Sequence, residues 1–429
     1  MTTTLDRSPI AFPKMFRVRQ RFDSHAIPDI QFAVSNEMRR VGLGGIIHPG
    51  QRVALAVGSR GITNLTGIVA AVADSVRQTG ATPIVVPAMG SHGGATADGQ
   101  SNVLASLGVT ESTVGAPIVS SMETVVVGQS HGIDIHFDQA ASQCDHVIVI
   151  NRIKPHTRLT GRYESGLIKM LMIGLGKHRG AAIYHQVFSE HHYRLDSLAD
   201  DIVGVVRHAM PITMGIAVVE DAFEHTSIIE AVPAACFLDR EPELLAIARS
   251  RMPKLPFDHA ELLIVDQVGK EISGTGMDTN VIGRKFNDKV AAADEFPKIK
   301  QIHVRSLSSK TAGNAAGIGI AEYCHRRVVN AMDHHATRIN CVTSEHVTAG
   351  AIPLTFDSDR EVFQAVLSQN GRIPVARMKW MRIADTLRLE MIDCSEGFWD
   401  AAQQDANLEI LTQPKPIRLN AGDDLENLK

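Results

Sequence analysis

Three stretches of this sequence carry side chains suited to proton transfer, anion binding or nucleophilic attack. The first, VGSRGITN (Val57 to Asn64), sets Ser59, Arg60 and Gly61 where an apolar run ends and a helix-like run begins. The free amides and positive dipole end of a helix start suit a phosphate or carboxylate, and Arg60 adds a bidentate fork. An ordinary turn with a solvated arginine would look the same. In the second, PAMGSHGGAT (Pro87 to Thr96), His92 stands among Gly90, Gly93 and Gly94. Glycines let backbone approach a ligand closely, and an imidazole there can act as a base near neutral pH.

The third stretch runs from Ile148 to His185, IVINRIKPHTRLTGRYESGLIKMLMIGLGKHRGAAIYH. Lys154, His156 and Arg158 follow its strand-like opening, and Lys169 lies inside LIKMLMI. Burial disfavours an ammonium and makes a neutral, nucleophilic amine more available. The plainer alternative is a lysine that snorkels to the surface or pairs with Glu164. His185 comes sixteen residues after Lys169. One unbroken helix would put the two on nearly opposite faces, at about 3.6 residues per turn. Gly174, Gly176 and Gly180 must therefore break the run if the two share a site.

The same run imitates a dinucleotide fingerprint, with strand-like MLMI, Gly174 and Gly176, then Gly180, then Asp196 about twenty residues on. Gly180 falls one position late, and the residues before Asp196 read as helix. Two histidine groups give weaker signals. MDHHA (Met332 to Ala336) resembles a phosphoesterase metal triplet without the companion aspartates, and His185, His191 and His192 have no carboxylate or thiolate to complete a zinc site.

Positioning these groups falls to alternating elements. Strand-like runs at Arg52 to Val57, Pro83 to Pro87, Thr124 to Val127, His146 to Ile150 and Met214 to Val219 alternate with helical patterns at Thr63 to Gln78, Ala97 to Leu107 and Leu198 to His208. This order predicts an α/β fold with mostly parallel sheets covered on both faces. RMPKLPF (Arg251 to Phe257) reads as a boundary between an N-terminal catalytic α/β domain, 1–257, and a second α/β domain, 258–402, closing a cleft over the first. The second domain is expected to have strands at Glu261 to Val265, Gln301 to Val304 and Ile339 to Val342, and helices at Ile320 to Met332 and Asp359 to Ser368. The polar tail, 403–429, reads as peripheral.

Composition narrows the classes. The 429 residues are 44% hydrophobic and 21% charged, which excludes a disordered or collagen-like chain. A net charge of −4 gives no footprint for nucleic acid. No signal peptide and no apolar run of about 18 residues is evident. The five cysteines form no CxxC pair, so the reading is a cytoplasmic protein with small-molecule partners.

GSRGI, GSHGGAT, KPHT, ESGLIKMLMIGLGKHRGA and the following His185 resemble the nickel-dependent lactate racemase family, in its branch of homologues of diverse specificity. The resemblance is close over most of residues 50–190, and looser in the second domain through GKEISGTGMD and NAAGIGIAEY. It implies a two-domain enzyme holding a nickel-pincer nucleotide, made by separate cofactor-biosynthesis enzymes. Lys169 would form the covalent thioamide, His185 would be the fourth nickel ligand, and His92 and His156 would be the two catalytic bases. Ser59, Arg60 and Gly61 would line the cofactor, and Arg60 would also meet the substrate carboxylate.

The implied reaction is racemisation or epimerisation of a 2-hydroxy acid. A hydrogen on the hydroxyl-bearing carbon is too weakly acidic for a side-chain base, so hydride transfer through a 2-keto acid serves instead. Two departures from the family pattern turn the substrate away from lactate: Val57, Gly58 and Ser59 replace an acidic residue ahead of Arg60, and His156 lies farther from Lys169. Lys154, Thr157, Arg158 and Thr160, with Lys270, Glu271, Ser273, Thr275 and Asp278, suggest a polar sugar acid such as gluconate. Arg158 and Lys270 are the further candidate substrate contacts. The competing readings are an NAD-dependent 2-hydroxy acid dehydrogenase and a non-catalytic protein that binds a small acid.

Overall fold

The computed structural model describes residues 11–59 and 61–426, apart from the side chains of His185 and Ser189. Two compact units are present. One is Asp23–Met252, and the other joins the segment ending at Phe22 to everything from Pro253 onward. The first strand, β1 (Met15–Gln20), thus belongs with the C-terminal half. This corrects the expectation that residues 1–257 form one domain.

In Asp23–Met252 the strands are β2 (Arg52–Val57), β3 (Thr82–Pro87), β4 (Thr124–Ser130), β5 (Ile133–Asp138), β6 (His146–Arg152), β7 (Ile212–Glu220) and β8 (Thr226–Pro233). Five of them form a sheet in the order β3-β2-β6-β7-β8, parallel except for the final antiparallel pair. Alternation divides the sheet's side chains between two cores. Ala54, Ala56, Ile84, Val86, Val147 and Val149 face one, while Val53, Leu55, Val57, Val85, Ile148 and Ile150 face the other. Helix Leu65–Gln78 covers the second face with Ile68, Val69, Val72 and Val76. Helices Asp196–Ala209 and Phe237–Arg251 cover the first. Each large aliphatic side chain buried here is worth roughly 1.5–3 kcal/mol, so uniformly apolar strands settle into a doubly covered parallel sheet.

Two local expectations fail. TVVV, read as a strand of the main sheet, instead forms the antiparallel hairpin β4-β5. MLMI, read as strand-like, is the π-helical turn Met170–Gly174, and Asp196 opens a helix. A dinucleotide fold needs a strand before its glycines and a second strand ending in the acid. Neither exists here, so the dehydrogenase fingerprint is overturned.

The other unit holds β1 with β9 (His259–Val265), β10 (Lys298–Val304), β11 (Tyr323–His325), β12 (Leu354–Phe356), β13 (Trp380–Ile383), β14 (Met391–Ser395) and β15 (Leu408–Ile410). Their order is β12-β11-β10-β9-β13-β14-β1-β15, parallel from β12 through β13 and antiparallel beyond. Ile339 to Val342, expected as a strand, lies in helix His334–Thr343, where Asp333 of MDHHA caps the first turn by accepting the His335 and Ala336 amides at 2.9 Å. The helix expected over Ile320 to Met332 is interrupted by β11 and persists only at Arg326–Asn330. The tail is not peripheral. β15 pairs with β1, and Arg305 Nη2 donates to the Leu425 carbonyl at 2.6 Å. Arg305 also donates to Asp359 and Asp266 at 2.8 Å, which anchors the tail to a buried ion network.

Candidate active site

The parallel sheet of Asp23–Met252 brings three of its adjacent strands, β3, β2 and β6, to one carboxyl edge, where ligands of open α/β sheets collect. Ser59 follows β2, His92 follows β3, and Lys154 and His156 follow β6. The Ser59 hydroxyl and His92 Nδ1 are hydrogen bonded, joining the first two loops directly.

The His92 loop is tightly determined. Gly90, Gly93 and Gly94 all have positive φ, and a Cβ on Gly93 would lie 2.5 Å from the Gly99 carbonyl carbon. Behind the loop, Gln100 donates to the Gly90 carbonyl at 2.8 Å. Lys177 Nζ in turn donates to Gln100 Oε1 at 3.1 Å and to the Pro87 carbonyl at 2.5 Å. It pairs with Asp138 at 2.9 Å, both side chains wholly buried. Burial pulls the Lys177 ammonium down from its ordinary range, and Asp138 holds it up.

A bridge between Lys154 and Ser165 closes the loop that carries His156. Buried Glu164 accepts the His156 amide at 2.6 Å and pairs with Arg249 at 2.5 Å. The imidazole Nδ1 accepts the backbone amides of Arg158 and Leu159 at 3.0 and 2.9 Å. A ring nitrogen that accepts two N–H donors carries no proton, so the neutral ring bears its hydrogen on Nε2.

Lys169 ends the short helix Leu167–Lys169, half-buried between the buried side chains of Ile168 and Met170. The π turn that follows touches both neighbouring loops. Gly90 donates to the Gly174 carbonyl at 3.1 Å, and a Cβ on Gly58 would meet the Met170 sulfur at 3.4 Å. Lys169 therefore sits with Ser59, His92 and His156 at one sheet edge. His185 falls on helix Lys177–Glu190, after the break at Leu175 and Gly176 that its spacing required. Its side chain, like the whole of Arg60, lies outside the described residues. Gly61 is exposed, and nearby Thr63 donates its amide to Glu220 Oε1, at the end of β7, at 2.7 Å.

The remaining candidates are spread more widely. Arg158 stacks over the Tyr193 ring at 3.8 Å. Lys270 belongs to the other unit, where it donates to the Gly274 carbonyl and to Asn340 Oδ1. Nearby, Glu271 accepts the Ser308 hydroxyl, Thr275 donates to the Met277 carbonyl, and Asp278 accepts the Asn280 amide. The polar groups of that loop are thus engaged with their own unit. Among the described residues, no three His, Cys, Asp or Glu side chains gather to hold a metal ion.

Sequence reasoning missed Lys177, Asp138 and Glu241. Lys177 stood in plain view in GLGKHRG, but its partner Asp138 ends a hairpin strand far away in sequence. Glu241 had no local signal beyond standing eight residues before Arg249 on one helix.

A doubly covered parallel sheet with Ser-His, His and Lys groups on its carboxyl edge defines an α/β protein whose reactive side chains gather at one end of its strands. Residues 19–196 match a family model described as the lactate racemase N-terminal domain. The lactate racemase apoprotein from Thermoanaerobacterium thermosaccharolyticum shares the fold, with a TM-score of 0.52 at 11% identity over 86% of this chain and 94% of that one. A Thermotoga maritima protein is similar with a TM-score of 0.47 at 12% identity, over 75% of this chain and 81% of that one. No curated protein matches. Over residues 19–196 the chain is thus similar to the lactate racemase N-terminal domain, and its likeness to the apoprotein is one of fold. No helix among the described residues is long and apolar enough to cross a membrane.

Proposed function

We propose that this chain racemises or epimerises a 2-hydroxy acid with a nickel-pincer nucleotide held through Lys169 and His185. The observation that carries this reading is the convergence of the Ser59–His92 pair, His156 and Lys169 on one sheet edge. Lys169 and His185 are the residues that would hold such a group. A pincer supplies three of its metal's four donors, so it asks this chain for one imidazole and one amine rather than a ligand trio. When bound, the cofactor supplies an electrophilic centre that takes up and returns the hydride of the substrate carbon.

The chain's own groups divide the remaining work. Arg60 is assigned the substrate carboxylate, through a bidentate fork. His92 exchanges the hydroxyl proton at Nε2, with Ser59 fixing its ring through Nδ1. His156, whose Nδ1 is committed to two amides, offers an Nε2–H donor to the substrate oxygen. The sequence reading made both histidines bases on opposite faces of the substrate, and here His156 is assigned a donor's part instead. A sugar acid remains the proposed substrate, resting now on Lys154, Thr157 and Arg158 beside the bases, because the Lys270 loop is self-bonded. The partners are that substrate and the enzymes that make the cofactor.

The test is co-expression with the pincer-nucleotide biosynthesis enzymes, followed by intact mass, nickel content and chiral assay of single-enantiomer 2-hydroxy acids. We expect a covalent increment lost in Lys169→Ala, nickel lost in His185→Ala, and epimerisation of aldonates. A loaded protein that binds acids without turning any over would make it a non-catalytic binder. Fast lactate turnover with inert aldonates would refute the sugar acid.

A further inference from the structure

The carboxyl group of Glu241 is 1% exposed and sits at the start of the turn that ends in Lys169. Its Oε2 accepts the Ile168 amide at 2.9 Å. The fit is close, since a Cβ on Gly166 would fall 2.5 Å from both Glu241 Cδ and Oε1. Gly166 is therefore small because the carboxyl occupies the space a side chain would need. From the other side, Asn151 at the end of β6 donates to the Gly166 carbonyl at 2.9 Å. The peptide entering the Lys169 turn is gripped at its carbonyl by the sheet and beyond it by Glu241.

The cost of this arrangement argues that it does more than end a helix. Burying a carboxyl in an apolar wall carries a large desolvation penalty, and a neutral Ser or Asn would satisfy a helix start with far less. Among the described residues, Oε1 has no hydrogen-bond partner. The same helix, Phe237–Arg251, also carries Arg249, which holds Glu164, whose other oxygen accepts the His156 amide. Two side chains on one helix thus grip the loop at both ends, one near His156 and one beside Lys169.

We propose that Glu241 is the positioning residue for Lys169, fixing the direction in which its amine leaves the turn. The inference rests on the reading of Lys169 as the cofactor-attachment residue, and it is tested on the cofactor-free full-length chain. Amide hydrogen exchange of residues 166–170 is measured together with the rate of Lys169 acylation by limiting acetic anhydride, scored by peptide mass spectrometry against the exposed lysine Lys254. In Glu241→Ala, the Ile168 amide should exchange about tenfold faster, the loss of a buried hydrogen bond. Lys169 acylation should depart from wild type by a factor of about three or more, and Glu241→Gln should restore both. Glu241→Asp, one methylene short of Ile168, carries the same test should the alanine variant fail to fold.

Wild-type exchange and acylation in both the Ala and Asp variants would overturn the proposal. So would an acylation change that tracks thermal stability and is not rescued by Gln. Failure of the underlying reading shows elsewhere, as a wild-type protein with no covalent increment after co-expression, whatever the exchange data give.

Discussion

Lys177 and Asp138 meet at 2.9 Å with neither side chain reaching solvent, and the ammonium also braces the strand end and the glutamine that hold the His92 loop. Removing one partner of a buried pair leaves the other charge uncompensated, at a cost of about 3–5 kcal/mol. Lys177→Met should therefore lower the urea midpoint sharply, and adding Asp138→Asn should recover part of the loss. An unchanged midpoint in Lys177→Met would show that the pair contributes nothing.

Gly93→Ala tests the loop from its other side. The new methyl would meet the Gly99 backbone at a φ of 67° that alanine rarely adopts. We expect a loss of about 1–3 kcal/mol, with secondary structure retained by circular dichroism and the His92 ring resonances shifted. Gly94→Ala is the control, since it too has positive φ but open space around its Cβ. Equal effects in the two would remove the close backbone approach from the explanation.

The two histidines should differ by spectroscopy before any chemistry is assayed. Long-range nitrogen–proton correlation spectra at pH 8 are expected to report His156 as the Nε2–H tautomer, because Nδ1 already faces two amide donors. In the loaded enzyme, His156→Gln, which keeps an amide donor near the Nε2 position, should retain more turnover than His156→Ala. An Nδ1–H tautomer would return His156 to the role of a base equivalent to His92.

Burial pushes the Glu241 carboxyl up to about 7, from an ordinary 4.5. The folded chain then holds this proton more tightly than the unfolded chain. The associated stability is fully present below the unfolded value and fades as pH rises through the folded one. At about 1.4 kcal/mol per tenfold change in proton affinity, the difference reaches a few kcal/mol. Wild type should lose stability relative to Glu241→Gln between these two pH values, and parallel curves would show that the carboxyl does not titrate there.

Asp359 runs the other way. Hydrogen bonding and charge from His303 and Arg305, with the Leu425 amide, hold its carboxyl well below the usual range despite burial. Its contribution is present above the ordinary carboxyl pKa and is lost as pH falls through the depressed one. Asp359→Asn should cost stability at pH 7 and lessen the sensitivity to acid. Hydrogen exchange should detect loosening first near Leu425, where the tail is tied to Asp359.

Much of this architecture was legible because burial on both faces writes an unbroken apolar run. RVALAV, PIVVP and HVIVI each became a strand of the parallel sheet, and their loops carried Ser59, His92 and His156 to its edge. MLMI misled because a short apolar run reads alike as a buried strand or a buried helical turn, and tertiary packing chose the turn. INCV misled in the same way, since only the Asp333 cap distinguishes its helix from a strand. The supports of the site were hidden for a different reason. Asp138, Glu164 and Glu241 act on residues far along the chain or on backbone amides, and neither relation leaves a periodic trace.

The position of β1 has a bearing on how the protein is made. It lies between β14 and β15, so this strand, made ahead of the whole of Asp23–Met252, must wait for partners near residues 391–395 and 408–410. Everything in Asp23–Met252 leaves the ribosome before either partner does. The unit bearing the candidate site can complete its sheet during translation, while β1 ahead of it stays unpaired until residues 391–410 have been made. Shortening the chain by some twenty residues at either end would spare the site-bearing unit and open the far sheet, so such truncations should yield a protein with one half folded and the other adrift.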